Sequence, residues 1–252
     1  MVGKMMADPL VLSIFPGIDL LGMAFEQEGF CIVRGPDLLW GGDIKTFHPP
    51  AGVFEGVIGG PPCQAFSDMR FLTRREHENL IPEFERVVRE TQPMWFLMEN
   101  VIKAPEPVVP GCFVKSVIVS NRLLGEIQDR KRRFSFGTNT GRSLMIASVA
   151  LERMDYSEAV TSSIRERGVA IDRRRVPMPD GRRPGPNHGV RIPVSRMAEL
   201  QGLPGDFFDG TPFNESAKRQ MIGNGVPLPM GRAVAKAVKR AMYPERVTAE
   251  AR

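Results

Sequence analysis

Cys63 is the residue of this chain whose setting most directly suggests chemistry. It follows Gly59-Gly60-Pro61-Pro62 and leads into Gln64-Ala65-Phe66-Ser67, after the apolar run Val53-Phe54-Glu55-Gly56-Val57-Ile58. Glycine lets a chain turn tightly and paired prolines fix its path, so the thiol is presented rigidly at a strand's carboxyl end, where open α/β sheets hold their ligands. A thiolate held in this way is a nucleophile for covalent catalysis. Most lone cysteines are small buried hydrophobes in loops, but this framing argues for the reactive alternative.

Two further groups could serve such a nucleophile. Glu99 ends the apolar run Met94-Trp95-Phe96-Leu97-Met98, where a carboxyl can exchange a proton with a bound substrate; the plainer alternative is an exposed strand-end carboxylate. Gln128-Asp129-Arg130-Lys131-Arg132 leads into Arg133-Phe134-Ser135-Phe136. If the strand begins there, Arg130 and Arg132 share a face and Lys131 takes the other. Two fixed cations can hold a carbonyl and a phosphate and favour a thiolate; a basic strand edge is the bland alternative.

The elements that must position these groups alternate. Pro9 to Phe15 reads as a buried strand, Leu20 to Glu26 as a helix ended by Gly29, and Phe30 to Val33 as a second buried strand carrying Cys31. Strand, turn, helix and strand make a βαβ unit and hence a parallel sheet. Val53 to Ile58 is a third strand and Leu80 to Glu90 a helix; Met94 to Met98 is uniformly apolar and therefore belongs mid-sheet, with Val114 to Val119 and Arg133 to Phe136 as further strands. The fold class is α/β, a doubly wound, mostly parallel, Rossmann-like sheet with a small inserted module. The expected divisions are 1–137 for the core, 138–193 for an insert broken by prolines and glycines, and 194–252 for helices that complete the core. The insert reads as a small β-rich module or a mobile loop. Ser195 is placed to cap a helix over Arg196 to Gln201, and Met230 to Met242 forms an amphipathic helix.

Composition narrows the classes. Of 252 residues, 42% are hydrophobic and 25% charged, as in an ordinary globular protein, and no apolar run approaches the roughly 20 residues of a bilayer span. The amino terminus lacks a secretory signal, so an intracellular protein is expected. Cys31, Cys63 and Cys112 form no C-x-x-C pair, and His48, His77 and His188 are scattered, which indicates neither disulfides nor a metal site. Between Arg165 and Arg191 eight arginines face three acids, an excess that equals the whole net charge of +5. A charge run is usually a solvated face, yet arginine without lysine, confined to one segment, suits phosphate binding.

The chain resembles the DNA cytosine-5 methyltransferases from about Val11 to Val238, with the insert as the unmatched stretch. The resemblance rests on Phe15-Pro16-Gly17, Pro61-Pro62-Cys63-Gln64, Glu99-Asn100-Val101, Gln128-Asp129-Arg130-Lys131-Arg132 and Gln220-x-x-Gly223-Asn224-x-Val226-Pro227, five motifs in the family's order. It implies transfer of a methyl group from S-adenosylmethionine to carbon 5 of a cytosine flipped out of double-stranded DNA. Cys63 would add to carbon 6, Glu99 would serve ring nitrogen 3, and Arg130 and Arg132 would hold the base carbonyl and a phosphate. The same likeness assigns Phe15, Gly17, Asp37, Asp43, Ile44, Pro61, Asn224 and Val226 to the cofactor, with Asp37 on the ribose hydroxyls and Asp43-Ile44 on the adenine. Gln64, Ser67, Arg173, Arg174, Arg175, Arg182 and Arg183 would contact DNA, the arginines within a short target-recognition region. A monomer without metal or membrane attachment is expected. An RNA-acting enzyme on the same core and a non-catalytic DNA-binding relative are the alternatives. One departure stands out: Ile18-Asp19-Leu20 replaces further glycines, and Asp19 could face the donor's amino group, point to solvent or alter which donor fits.

Overall fold

A computed structural model of the chain describes residues 7–62, 78–149, 157–161, 165–166 and 190–245. The strands β1 (Leu10–Ile14), β2 (Cys31–Arg34), β3 (Gly56–Gly59), β4 (Trp95–Asn100), β5 (Phe113–Ser120) and β7 (Lys131–Thr138) form one sheet in the order β2-β1-β3-β4-β7-β5. The pairs β2-β1, β1-β3 and β3-β4 are parallel, whereas β7 runs antiparallel to both β4 and β5. Five of the six strands therefore point the same way, and the mostly parallel sheet expected from the sequence is present.

The period of two along the strands sorts side chains between the sheet's faces. Val11, Trp95, Leu97, Phe134 and Phe136 join Leu21 and Phe25 of α1 (Leu20–Gln27) and Val234 and Val238 of α5 (Leu228–Met242) in one cluster. Leu12, Ile14, Val57, Phe96 and Met98 face the other way, against Ile81, Phe84, Val87 and Val88 of α2 (Ile81–Thr91). Helices on both faces make the sheet doubly wound. Gly56 has a packing reason: a Cβ there would lie 2.2 Å from the Trp95 ring, so only glycine lets the indole cross the neighbouring strand. A third cluster joins Leu20 and Ala24 to α3 (Val194–Leu200) and α4 (Glu215–Asn224), and takes in Val160 and Ile192 of the insert. Among the described residues of the insert are the short strands β8 (Ser157–Glu158), β9 (Arg165–Glu166) and β10 (Val190–Arg191); β8 pairs with β6 (Gln128–Asp129) and β9 with β10.

Three expectations are corrected. Phe30 to Val33 is not a buried strand: β2 is the sheet's edge, paired only with β1, and Cys31 is exposed. The third strand begins at Gly56 rather than Val53, which is 49% exposed in the preceding turn. Ser195 does not cap its helix; α3 starts at Val194, two residues before the expected Arg196, behind Pro193, whose carbonyl accepts the Met197 N–H at 3.0 Å.

The topology brings distant segments to one edge. The carboxyl ends of parallel β1, β3 and β4 lie together, and antiparallel β7 brings its amino end to the same place, Arg133 opposite Asn100 and Phe134 opposite Glu99. β2 and β3 flank β1 on opposite sides, so the loop after β1 opens at the switch point where such sheets bind ligands.

Candidate active site

At this edge the Glu99 Oε1 atom lies 2.9 Å from Arg132 Nε, and the two side chains are only 11% and 18% exposed. Burial pushes the Glu99 carboxyl above its ordinary value, while the charges of Arg132 and then Arg130, with the Arg132 hydrogen bond, pull it back only in part. A buried carboxyl so balanced is suited to proton exchange with a substrate. The backbone leading to the expected nucleophile passes against it, since a Cβ on Gly60 would lie 3.0 Å from Glu99 Oε2. Asn100, 2% exposed, fastens that backbone. Its Nδ2 donates to the Pro61 carbonyl at 3.2 Å and its Oδ1 accepts from the Val101 N–H at 2.8 Å. This function of Asn100 was not read from the sequence, although an amide ending a fully buried strand must find partners. Cys63, Gln64 and Ser67 lie outside the described residues, as do Arg173, Arg174, Arg175, Arg182 and Arg183.

Arg130 is near enough for its charge to act on Glu99, but its guanidinium is engaged with main-chain carbonyls. The residue falls between β6 and β7 and is 1% exposed. Nη1 donates to the Val160 carbonyl at 2.6 Å, and Nη2 donates to the Gly223 and Gly225 carbonyls at 3.1 and 2.9 Å. Alternation along one strand does not apply to it, because the chain leaves its pairing with β8 at Asp129 and joins β7 only at Lys131. A guanidinium that deep, donating to main-chain carbonyls, is placed to hold the protein together rather than to contact a base.

The loop after β1 winds through the left-handed region at every second residue: φ is 54° at Phe15, 57° at Gly17 and 58° at Asp19. A Cβ at Gly17 would meet nothing within 4 Å, so its outer face is open to a ligand. Asp37 and Gly17, paired in the cofactor assignment, are in contact: Asp37 Oδ2 accepts the Gly17 N–H at 2.9 Å and Oδ1 accepts the Leu39 N–H at 2.8 Å. The Gly17 carbonyl accepts from Trp40 Nε1 at 2.8 Å, and the Trp40 ring meets Phe213 edge-on at 5.8 Å. Trp40 escaped the sequence reading, its only signal being an exposed aromatic just after the loop's acid. Asp43 caps a single helical turn through the Lys45 N–H, and Ile44 is 5% exposed. Arg86 of α2 binds the carbonyls of Ile44 and Phe47 at 2.6 and 3.0 Å and so fixes that turn. Phe15 and Ile44 pack on the same cluster, Asn224 is exposed at the end of α4, and Val226 is buried among the core residues of α5 and Trp95.

Asp19 does not point to solvent. It is 3% exposed and caps α1: Oδ1 accepts from the Gly22 N–H at 3.0 Å and from Ser13 Oγ at 2.8 Å, and Oδ2 meets Arg34 Nε at 2.9 Å. Aspartate tolerates the left-handed conformation better than most residues, which is how it replaces glycine there. Burial pushes its carboxyl up from 3.8 to about 6, against the downward pull of Ser13, Arg34 and Gly22 and with a small upward push from Glu26. The folded chain thus holds a proton that the unfolded chain has released. The associated stability is complete below the unfolded value and is lost as pH rises through about 6, so the ionised group costs about 3 kcal/mol at neutral pH. Asp19→Asn retains an acceptor and removes the titration. In urea unfolding the variant should gain on the wild type as pH rises, reaching a lead of about 3 kcal/mol above roughly pH 7. A lead that does not grow with pH would contradict this account.

Among the described residues no cluster of His, Cys, Asp or Glu could hold a metal ion, and no helix is long and apolar enough to cross a membrane. The family model for C-5 cytosine-specific DNA methylase matches residues 41–106. Type II methyltransferase M.HgiGI of Herpetosiphon aurantiacus is 42% identical over 118 residues, which are 37% of this chain and 90% of that protein. M.HgiDI of the same organism is 27% identical over 284 residues, covering 86% of this chain and 90% of that protein. M.NgoPII of Neisseria gonorrhoeae is 27% identical over 187 residues, and there the chain spans 46% of the relative's length. Among solved structures, Entamoeba histolytica methyltransferase EhMeth superposes with a TM-score of 0.61 at 12% identity, covering 93% of this chain and 98% of that one. A DNA modification methyltransferase encoded within an E. coli prophage gives 0.58 at 16% identity, covering 93% and 99%. The structural likenesses speak to the fold, and the sequence likenesses go further: the family match spans the Asp43 turn, the Pro61-Pro62-Cys63 segment and Glu99, so this chain belongs to the C-5 cytosine-specific DNA methylases and is a methyltransferase.

Proposed function

We propose that the protein methylates carbon 5 of a cytosine flipped out of double-stranded DNA, through a transient covalent bond to Cys63. The observation that carries this reading is the buried Glu99–Arg132 pair, 2.9 Å apart, set against the Gly60 backbone that leads to the cysteine. Cytosine carbon 5 is a weak nucleophile. Addition of the Cys63 thiolate to carbon 6 converts the ring to an enamine, and a Glu99 proton at ring nitrogen 3 takes up the charge that develops there. Arg132 orients Glu99 and offers its remaining N–H groups to the base carbonyl. Once carbon 5 carries the methyl group, water removes the carbon 5 proton, the ring electrons re-form the 5,6 double bond, Cys63 leaves as thiolate and ring nitrogen 3 returns its proton to Glu99.

S-adenosylmethionine supplies the methyl group as an electrophilic sulfonium substituent. The residues present suit it. The open face of Gly17 admits close approach, the Asp37 carboxylate retains lone pairs for ribose hydroxyls, and Phe15, Ile44 and exposed Trp40 provide apolar surface for a purine. Pro61, Asn224 and Val226 complete the assignment. The target base must leave the duplex stack before the thiol can reach it. Gln64 and Ser67 would line that entry, and the insert 138–193 would act as the reader between core segments 1–137 and 194–252. The protein would work as an intracellular monomer.

Bisulfite sequencing of DNA from cells expressing the chain tests the reaction and reveals its sequence context. Methylated cytosines at a recurrent word are expected; unmodified DNA, with label transferred to transfer RNA instead, would overturn the DNA assignment. The arginines of the insert offer a separate check. Replacing Arg173, Arg174 and Arg175 together by alanine should weaken duplex binding and reduce the slope of log K against log salt by up to about 3. An unchanged slope would remove these residues from the interface.

A further inference from the structure

The glutamine and first arginine of the segment before β7 are both buried, 0% exposed for Gln128 and 1% for Arg130. Together they grip one residue of the insert, Val160, by its main-chain N–H and its main-chain carbonyl. Gln128 Oε1 accepts the Val160 N–H at 3.2 Å, and Arg130 Nη1 donates to the Val160 carbonyl at 2.6 Å. They continue a main-chain ladder, in which Gln128 pairs with Ser157, Asp129 pairs with Glu158, and the Ser157 N–H reaches the Ile127 carbonyl at 2.7 Å. The other hands of the same two side chains hold the carboxyl-terminal part of the core. Gln128 Nε2 donates to the Leu200 carbonyl at 2.6 Å, and Arg130 Nη2 takes the carbonyls of Gly223 and Gly225, the two residues flanking Asn224. The Val160 side chain, 0% exposed, packs in the same cluster as Met221 and Ile222 just before that turn.

We propose that Gln128 and Arg130 are positioning residues that couple segment 157–161 of the insert to the Gly223–Gly225 turn, so that DNA held by the insert changes the affinity of the cofactor side. The inference rests on the reading above, in which the insert meets DNA and Asn224 meets the cofactor. A forked guanidinium can hold carbonyls of two separate segments in one plane, which an ammonium cannot, and a buried network of several hydrogen bonds is stiff enough to carry a displacement between them. Engaged in this way, Arg130 makes no phosphate contact.

The test measures the dissociation constant of S-adenosylhomocysteine with and without a fixed duplex oligonucleotide, together with the salt dependence of duplex binding. In the wild type the duplex should shift S-adenosylhomocysteine affinity. Arg130→Lys, which keeps the charge but not the fork, and Gln128→Ala, which alters no charge, should bring the ratio of the two constants to about one. In Arg130→Gln the salt slope should remain that of the wild type. The proposal fails if that slope falls by about one, as loss of a phosphate contact requires, if both variants keep the wild-type ratio, or if a wild type that binds both probes shows no ratio. Should the Arg130 variants not fold, Gln128→Ala decides. A folded wild type that binds neither probe refutes the underlying functional reading instead.

Discussion

Cys63→Ala should lower methyl transfer by roughly 10⁶-fold, the scale seen when a lone catalytic nucleophile is removed, and leave duplex binding intact. The thiol acts only in the covalent step: without a bond to carbon 6 no enamine forms, and carbon 5 stays too electron-poor to accept a methyl cation equivalent. Binding instead draws on phosphate contacts, to which a single neutral atom adds little. The same step can be trapped. With 5-fluorocytosine at the target and the donor present, fluorine cannot leave as a proton does, so the wild type should accumulate a denaturation-resistant conjugate. The alanine variant should form none. Turnover retained by Cys63→Ala, or no conjugate from a wild type that methylates the unsubstituted target, would refute the nucleophile assignment.

How far the fold could be read from the chain depended on whether a signal was local. β4 was legible because an uninterrupted apolar run can only sit where both faces are covered, and Trp95–Asn100 is buried throughout. The βαβ start was legible from the turn residues around α1. The exposure of Cys31 to Val33 was not, since four apolar residues look alike in a central and an edge strand; only the sheet order shows that no described strand lies beyond β2. Asp19 was noticed as a departure from glycine, but its inward course depends on Ser13 and on Arg34, on either side of it in sequence.

The site divides along the same line. Glu99 was legible as a carboxyl ending a buried strand, and its partner Arg132 followed from a shared motif. The residues that hold the site in place were not. Asn100 depends on Pro61, Arg86 on Ile44 and Phe47, and Trp40 on Gly17, all contacts made by folding across the sheet edge. The carbonyl partners of Arg130 are not legible in the motif, because alternation assumes an unbroken strand, whereas a pairing with residues from the insert interrupts it at Asp129. Positioning groups are hard to read for a physical reason: their partners are main-chain carbonyls, which carry no residue identity.

Glu99→Gln is the substitution that separates charge and proton from shape. The amide fills nearly the same space and can still donate to ring nitrogen 3, but it cannot give up a proton, and it leaves Arg132 without the anion 2.9 Å away. Loss of a positioned general acid should lower kcat by about 10²- to 10⁴-fold, with KM for the donor little changed because the proposed donor site is the loop after β1. The pH profile gives the sharper reading. Burial holds the Glu99 carboxyl above its ordinary value, so its protonated, donating form persists further up the pH scale and the rate should fall as pH rises through that raised value. Formation of the Cys63 thiolate imposes the opposite trend from the acid side. The wild type should therefore show a bell in single-turnover rate against pH at saturating donor, and Glu99→Gln should keep the acid limb while losing the alkaline one. An alkaline limb that survives unaltered in the variant would assign the proton to another group and reduce Glu99 to an anchor for Arg132.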